Sequence, residues 1–358
     1  MADGEISQRD KWLKGKSPYE EWQEAEGIPS IRGYYIEDLR TAPLEPWERK
    51  GGLGAFINLE GSGESADSYL CEIPPAKNLK PQRHLFEETI FILKGRGATT
   101  IWTEGGPKQT FEWQEGSLFS PPINVWHQHF NGSEDEPARY LAVTTAPFTF
   151  NIYHNRDFVF NNPFVFADRY SGEEDYFSTR GKTYSGRVWE SNFIPDVYSF
   201  KLQLWKERGA GGTNVMFELA NNTMRPHISQ FPVGTYKKAH RHGPGAHVII
   251  LNGTGYSLMW PEGQPFTKVD WHQGSMFVPP DWWFHQHFNA GSEPARYLAI
   301  TWGGWRVNIT KGRAADVSLK EGGAQIEYPD EDAEIMRIFE SELAKSGLKP
   351  QPPQEWRK

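Results

Sequence analysis

The sequence contains one block of residues twice, at a separation of 158 residues that stays constant over most of the block. PQRHLFEETIFILKGRG (81–97) aligns without a gap with AHRHGPGAHVIILNGTG (239–255). The same offset aligns EGSLFSPPINVWHQHFN (115–131) with QGSMFVPPDWWFHQHFN (273–289), and it slips by one residue only afterwards, at PARYLAV and PARYLAI. Such self-similarity indicates two copies of one domain, and 358 residues suffice for two cores of ordinary size.

Each copy has the pattern of short β-strands. ETIFILKGRGATTIW and HVIILNGTGYSLMW are β-branched and aromatic runs that Gly-x-Gly turns interrupt. GSLFSPP and GSMFVPP end in proline pairs, which cannot donate to a sheet ladder. The sequence therefore predicts an all-β protein of two sandwiches or barrels.

The flanking segments differ from the repeats. A short helix is predicted within residues 10–26, and a second one within 329–350, where acidic residues come first and Gly347 and Pro350 come last. We therefore expect an N-terminal extension, a first domain, an ordered connection, a second domain and a C-terminal helical extension. The predicted bounds are, in that order, 1–50, 51–147, 148–209, 210–310 and 311–358.

Charge and composition exclude several classes of partner. The formal net charge is −8 and no long run of Lys or Arg occurs, which argues against binding to nucleic acid or to an anionic membrane. No stretch approaches the roughly 20 apolar residues of a membrane span, and the first residues lack the apolar core of a signal peptide. A single cysteine, Cys71, excludes an intramolecular disulfide and a thiolate cluster, so a reducing cytoplasm is the predicted location.

The second copy places three histidines at a spacing typical of metal ligands. His240 and His242 are two residues apart on a predicted strand, so their side chains face the same way, and His285 follows 43 residues after His242. Two imidazoles from one strand and a third from another strand can surround a metal ion and leave positions open for substrate. The predicted metal ligands are these three residues.

The first copy repeats the spacing with one change. His84 and His127 are also 43 residues apart, but Gln82 takes the place of the first paired histidine, and Glu88 follows His84 by four residues. His84, Glu88 and His127 are therefore a possible second metal site. The alternative is a site that has lost its function, because an amide is a poor ligand.

The residues around these histidines resemble the two motifs of the cupin superfamily. GTYKKAHRHGPGAHVIILNGTG has the first motif's Gly, five residues and His-x-His, and QGSMFVPPDWWFHQHFN has the second motif's Gly, proline-ended strand and His. Both copies match, so the chain resembles a bicupin over residues 50–145 and 210–305. The resemblance implies two tandem cupin barrels, that is, double-stranded β-helices or jelly rolls, with short flanking helices.

One residue refines the resemblance. Many cupins have a glutamate ligand about four residues after His-x-His, where the second copy has Ala246. This copy is similar to the glutamate-free, three-histidine site of gentisate and salicylate ring-cleaving dioxygenases. The resemblance implies Fe(II) on the three histidines, with Mn(II) or another divalent metal as alternatives.

Further side chains near the triad are candidates for direct contact with substrate. His287 lies two residues after His285 on the same strand face, so it is a candidate acid or base, and a purely supporting hydrogen bond is the alternative. Arg241, between the paired histidines, and Trp283, in the aromatic run before His285, are the candidate substrate-binding residues.

Three functional hypotheses follow. The first is a dioxygenase that uses O₂ to cleave a C–C bond in an oxygenated aromatic or diketo acid, as in the catabolism of aromatic compounds. The second is a Mn-dependent decarboxylase or lyase of the oxalate decarboxylase type, which Glu88 supports and Ala246 opposes. The third is a non-catalytic storage or ligand-binding bicupin. The expected partners are a small-molecule substrate, O₂ and further copies of the same chain in a homo-oligomer.

Overall fold

The computed structural model describes residues 15–63, 65–243, 245–303 and 315–351. Strands dominate these residues, and the helices are short, as the sequence predicts. The strands up to the middle of the chain are β1 Ser30–Gly33, β2 Tyr35–Ile36, β3 Glu45–Trp47, β4 Gly52–Leu59, β5 Asp67–Ile73, β6 Glu88–Lys94, β7 Arg96–Trp102, β8 Gln109–Gln114, β9 Leu118–Phe119, β10 Trp126–Asn131 and β11 Ala138–Thr144.

The remaining strands follow a helical interruption. They are β12 Lys182–Tyr184, β13 Val188–Glu190, β14 Phe193–Ile194, β15 Gln203–Leu204, β16 Thr213–Glu218, β17 Met224–Phe231, β18 His247–Asn252, β19 Gly255–Trp260, β20 Thr267–Trp271, β21 Met276–Phe277, β22 Phe284–Asn289 and β23 Ala295–Trp302. The helices are α1 Pro18–Glu26, α2 Ala146–Tyr153, α3 Arg156–Asn161 and α4 Ala333–Lys345, with one-turn 3₁₀ helices at Lys206–Arg208, Leu319–Glu321 and Tyr328–Asp330.

Each copy forms a barrel of one large and one three-stranded sheet. In the first barrel the large sheet runs β1-β4-β5-β11-β6-β9-β14, with β3 beside β4, and the small sheet runs β10-β7-β8. In the second barrel the large sheet runs β12-β13-β16-β17-β23-β18-β21-β2, with β15 beside β16, and the small sheet runs β20-β19-β22. The register repeats as well, because Cys71 pairs with Tyr140 as Ser229 pairs with Tyr297.

The two barrels exchange short edge strands. β2, from the N-terminal extension, pairs with β21 of the second barrel, and β14, from the connection, pairs with β9 of the first barrel. The large sheet of each barrel is thus completed by a segment that lies outside its own repeat. The predicted bounds of the domains stay a prediction. They do not include β2 in the second barrel or β14 in the first barrel, although each strand completes the sheet of that barrel.

The largest apolar core lies between the two barrels. Strand alternation sends Tyr140 and Ala142 of β11 to the inside of the first barrel and Leu141 and Val143 to a core that both large sheets share. In β23, Leu298 likewise belongs to the shared core. Both faces of the large sheets are therefore buried, which explains their nearly continuous apolar sequences.

The two predicted flanking helices are confirmed. α1 begins with a capping box at Ser17, and its Trp22 stacks on Phe150 of α2 with the ring centroids 4.5 Å apart. α4 begins at the N-cap Asp332, whose side chain accepts a hydrogen bond from the backbone of Glu334. One face of α4 packs on the second barrel through the buried side chains Ile335, Phe339 and Leu343.

Candidate metal centre

The structure brings the three predicted ligands of the second copy together. The ring centroids of His240 and His285 are 4.2 Å apart, those of His242 and His285 are 4.8 Å apart, and those of His240 and His242 are 5.5 Å apart. One nitrogen of each ring lies within 4.8 Å of those of the other two. Three imidazole nitrogens that converge in this way fit a divalent metal ion.

The secondary structure of the histidine pair differs from the prediction. His240 forms an isolated bridge with His285, and the chain then leaves the sheet, so His242 lies in a loop and not on a strand. The sequence Gly243-Pro244-Gly245 accounts for this difference, because glycine and proline weaken strand pairing. The two imidazoles converge through the loop and not through strand alternation.

Hydrogen bonds fix the orientation of two of these rings. His242 Nδ1 lies 2.9 Å from the carbonyl oxygen of Gly243, and His285 Nδ1 lies 3.2 Å from that of Trp283. A carbonyl only accepts, so Nδ1 carries the proton in each ring and Nε2 keeps a free lone pair. Burial lowers the pKa of His242 to about 4, so this ring is neutral at pH 7, as metal binding requires.

The possible second site in the first copy is also assembled. His84 Nε2 and His127 Nε2 lie 3.6 and 3.7 Å from the same oxygen, Oε2 of Glu88. The Nδ1 atoms of His84 and His127 face the carbonyl oxygens of Phe86 and Val125. His84 Nε2 and Glu88 Oε2 are buried and have no hydrogen-bond partner in the described part of the chain. These donors therefore fit a divalent ion as well.

One donor of the first site is already engaged within the protein. Gln82 Nε2 lies 3.1 Å from His127 Nε2, which can only accept because the proton of this ring is on Nδ1. Arg49 Nη1 in turn donates to Gln82 Oε1 at 3.1 Å. The lone pair that a metal would use on His127 is thus occupied by the Gln82 amide.

A buried cation lies behind Glu88. Lys50 Nζ is 4.0 Å from Glu88 Oε1 and donates to the hydroxyl oxygen of Tyr69 at 2.6 Å, and Tyr69 donates to Glu88. Burial lowers the pKa of Lys50 to about 8, so the ammonium group keeps its charge at neutral pH. The first site therefore contains its own pair of opposite charges.

The second histidine of each HQHFN string is held by a hydroxyl group. Ser257 Oγ lies 2.9 Å from His287 Nδ1 and accepts a hydrogen bond from Trp271 Nε1 at 3.0 Å. Thr99 Oγ1 lies 2.7 Å from His129 Nδ1 in the same arrangement. The hydrogen bonds of His287 and His129 are the same, so these bonds do not distinguish the two histidines. A difference in their function must come from the space that each ring faces.

A cavity of about 310 Å³ opens beside the second site. The three triad histidines and His287 form part of its lining. This volume lies at the lower end of the range for small-molecule sites. Further lining residues, which the sequence analysis did not single out, include Arg187, Trp205, Arg208, Arg225 and Tyr297.

Comparison with known proteins supports the fold. Residues 69–144 match the family described as "Cupin domain". The maize (Zea mays) auxin-binding protein 4 is 26% identical over 110 residues, which are 28% of this chain and 54% of the maize protein, so the match spans about half of that relative. The Lactobacillus farciminis oxalate decarboxylase formate complex is 14% identical, with a TM-score of 0.51 over 75% of this chain and 87% of that chain. A variant of the Bacillus subtilis oxalate decarboxylase is 15% identical, with a TM-score of 0.51 over 76% and 78% of the two chains.

The protein has the bicupin fold. The predicted fold class, two tandem cupin jelly rolls with short flanking helices, is confirmed. At these sequence identities the similarity to the solved structures concerns the fold, and the chemistry must be argued from the residues of this chain.

A lysine in the second barrel is buried without an acidic partner among the residues that the structure describes. Lys237 Nζ donates to Ser229 Oγ at 2.7 Å and to the hydroxyl oxygen of Tyr297, a cavity residue, at 3.0 Å. The first barrel has Leu79 and Cys71 at the positions of Lys237 and Ser229. This amine was not predicted from the sequence, although the alignment of the two copies carries a signal for it, namely a lysine opposite a leucine.

The two predicted substrate-binding residues lie outside the cavity lining. Arg241 Nη1 forms an ion pair with Glu262 Oε2 at 2.9 Å, and its guanidinium group stacks over Phe284 at 4.4 Å from the ring centroid. Trp283 packs against the apolar core of the second barrel, with its ring 6.4 Å from that of Tyr34. Neither side chain lines the cavity. Their role in substrate binding stays a prediction that these contacts do not support.

Proposed function

We propose that this bicupin is a divalent-metal-dependent enzyme that acts on a small carboxylic acid in the cavity of its second barrel. The observation that carries the proposal is a contrast between the two sites. His240, His242 and His285 face an open, arginine-lined cavity, whereas the site at Glu88 is buried and His127 there is capped by Gln82.

The residues of the chain divide the work around the metal ion. His240, His242 and His285 would hold the ion, which would act as a Lewis acid on an oxygen of the substrate. Because these ligands are neutral, an anionic substrate is favoured over a neutral one. His287 lines the same cavity and is oriented by Ser257, so it can give a proton to the substrate or take one from it.

Two reaction classes are compatible with this site. The three-histidine set without a carboxylate resembles that of the ring-cleaving dioxygenases, which favours Fe(II) and O₂-dependent cleavage of a C–C bond. The fold similarity to oxalate decarboxylases favours a Mn(II)-dependent decarboxylase or lyase, and the comparisons support this second class better than the first. A bicupin that only binds its ligand is the remaining alternative.

Two further features belong to the proposal. Cys71 is buried and can form no disulfide within the chain, which supports a reducing, cytoplasmic location. Assembly into a homo-oligomer is expected from the family resemblance. Among the described residues, no helix has both the length and the apolar character to cross a bilayer.

The experiment that tests the proposal separates metal, oxygen and carbon dioxide. Protein purified without oxygen is loaded with Fe(II) or Mn(II) and incubated with phenolic, diketo and aliphatic acids, while O₂ uptake and CO₂ release are recorded. Oxygen uptake identifies the dioxygenase class, and CO₂ release without oxygen consumption identifies the decarboxylase class. His285→Ala should abolish either signal, whereas His127→Ala, the aligned residue of the first copy, should largely preserve it. Equal loss in both variants would refute the assignment of the reaction to the second barrel.

A further inference from the structure

We propose that the ligand of the second barrel is a dicarboxylate, with one carboxylate group at the histidine triad and the other held by Arg187, Arg208 and Arg225. This inference rests on the proposed function in so far as the ligand is a substrate. Four observations on the cavity support it: its charge, its unpaired donors, the rigidity of its arginines and its difference from the first barrel.

The lining of the cavity is positively charged. Three arginines line it, and Asp316 is the carboxylate among its described lining residues. Glu207 lies 4.0 Å from Arg187, and Glu218 interacts electrostatically with Arg225, but neither glutamate lines the cavity. With neutral histidines, the lining side chains carry two net positive charges before any metal ion is added. A ligand with a single negative charge leaves this excess uncompensated.

The cavity arginines have N–H groups without a hydrogen-bond partner among the described residues. Arg208 is 4% exposed, and its Nη1 donates to two neutral acceptors, the carbonyl oxygen of Ala315 and Oε1 of Gln325. The Nε atoms of Arg187, Arg208 and Arg225 are buried and have no hydrogen-bond partner within the described residues. A buried donor without a hydrogen-bond partner is costly, and a guanidinium group matches the geometry of a carboxylate.

Two of these guanidinium groups are fixed in position before a ligand arrives. The ring of Trp205 in the cavity wall contacts both of them, with its centroid 5.0 Å from Cζ of Arg187 and 4.8 Å from Cζ of Arg208. Stacking on an aromatic ring restricts the side chain of an arginine, so less conformational entropy is lost on binding. The arrangement has the features of a preformed anion site.

The first barrel shows which charge the second barrel lacks. At the constant offset of 158 residues, Lys50 corresponds to Arg208 and Glu88 corresponds to Ala246. Lys50 lies 4.0 Å from the Glu88 carboxylate, so that cation has its counter-ion within the protein. In the second barrel the cation is retained and Ala246 lines the cavity in place of the carboxylate. Asp316 lines the same cavity and interacts electrostatically with Arg208, so it offsets one of the three guanidinium charges. A dicarboxylate would supply the two negative charges that remain to be matched.

Calorimetric titration of the full chain, loaded with one equivalent of Mn(II) and free of excess metal and chelator, tests the proposal without requiring turnover. The probes are succinate, glutarate and phthalate, with butyrate and benzoate as monocarboxylates of matched size and inorganic phosphate as a different dianion. At least one dicarboxylate should bind at least tenfold more tightly than its matched monocarboxylate. Arg225→Gln and Arg187→Gln should each weaken that binding at least tenfold. Arg337→Gln, which removes the same charge from an exposed position on α4, should not change it.

The contrary outcomes are distinct. Equal affinity for mono- and dicarboxylates, tighter binding of phosphate than of every dicarboxylate, no binding of any dicarboxylate, or full affinity in both arginine variants would each overturn the proposal. Melting curves establish that the variants are folded. Turnover of monocarboxylates alone would overturn this inference and leave the proposed function intact. Dicarboxylate binding without turnover of any tested acid would overturn the proposed function and leave this inference intact.

Discussion

Replacing Gln82 by histidine should convert the first site into a strong metal site. The backbone at this position is already placed as it is in the second barrel. Gln82 and His127 exchange two backbone hydrogen bonds of 3.0 and 2.9 Å, just as His240 and His285 exchange bonds of 3.1 and 2.9 Å. An imidazole at position 82 would therefore face His127 as His240 faces His285, and the cap on His127 Nε2 would be gone.

The size of the effect follows from one added metal ligand. A structural zinc site with four ligands contributes about 10–16 kcal/mol, or roughly 3 kcal/mol for each ligand. The substitution also removes the hydrogen bond from Arg49 to Gln82, but the variant lacks this bond with and without metal, so the loss of about 1.5–3 kcal/mol lowers stability and not metal affinity. The added ligand alone, at about 3 kcal/mol, corresponds to a gain in metal affinity of about a hundredfold.

The assay is metal content per chain after dialysis against a graded series of chelator concentrations. Wild type should retain about one equivalent, and Gln82→His should retain a second one at chelator concentrations that strip the first site of wild type. Gln82→Leu is the matched control, because it removes the amide from His127 without adding a ligand. Retention of two equivalents by wild type under the most stringent conditions would refute the reasoning, as would identical behaviour of Gln82→His and Gln82→Leu.

Three further predictions concern catalysis and stability. His287→Ala should lower the turnover number by about a hundred- to ten-thousand-fold at unchanged metal content, whereas His129→Ala should act through stability, by about 1 kcal/mol; equal small losses in both would make His287 a supporting residue only. Phe339→Ala should lower the free energy of unfolding by about 3–5 kcal/mol in urea titrations, because this ring is fully buried between α4 and the second barrel, and a loss below about 1 kcal/mol would contradict that packing. Glu88→Gln should lower the free energy of unfolding by about 3–5 kcal/mol, because it leaves the charge of Lys50 without its carboxylate. The double variant with Lys50→Met should recover part of this loss. A double variant that is less stable than Glu88→Gln would show that the two charges do not act as a pair.

The sequence was sufficient for the barrels and for the residues that meet at the second site. The repeat is long and gapless, so the strand pattern of each copy supported the strand prediction for the other copy. His285 lies opposite His240, as the spacing of the histidines predicted. Asn131 and Asn289 form matching turns after the HQHFN strands, since each side chain accepts a hydrogen bond from the backbone two residues later.

Other features could not be predicted, for physical reasons. β2 and β14 are two residues long, which is too short for any periodicity to show, and their partners lie far away in the sequence. The cavity arginines come from segments that share no motif, so only the folded chain brings Arg187, Arg208 and Arg225 to one space. Arg241 was predicted to bind substrate because of its place between two ligands, but the loop directs it to Glu262.

The exchange of edge strands imposes an order on folding during synthesis. Tyr35 and Ile36 leave the ribosome early, but their partners Phe277 and Met276 are made some 240 residues later. The first barrel can be completed once Ile194 has emerged and paired with Leu118. The N-terminal segment must meanwhile wait unpaired, and contacts so distant in sequence form slowly. The docking of the first-made strand is therefore expected among the last steps of folding, and it ties the start of the chain to the barrel that holds the histidine triad.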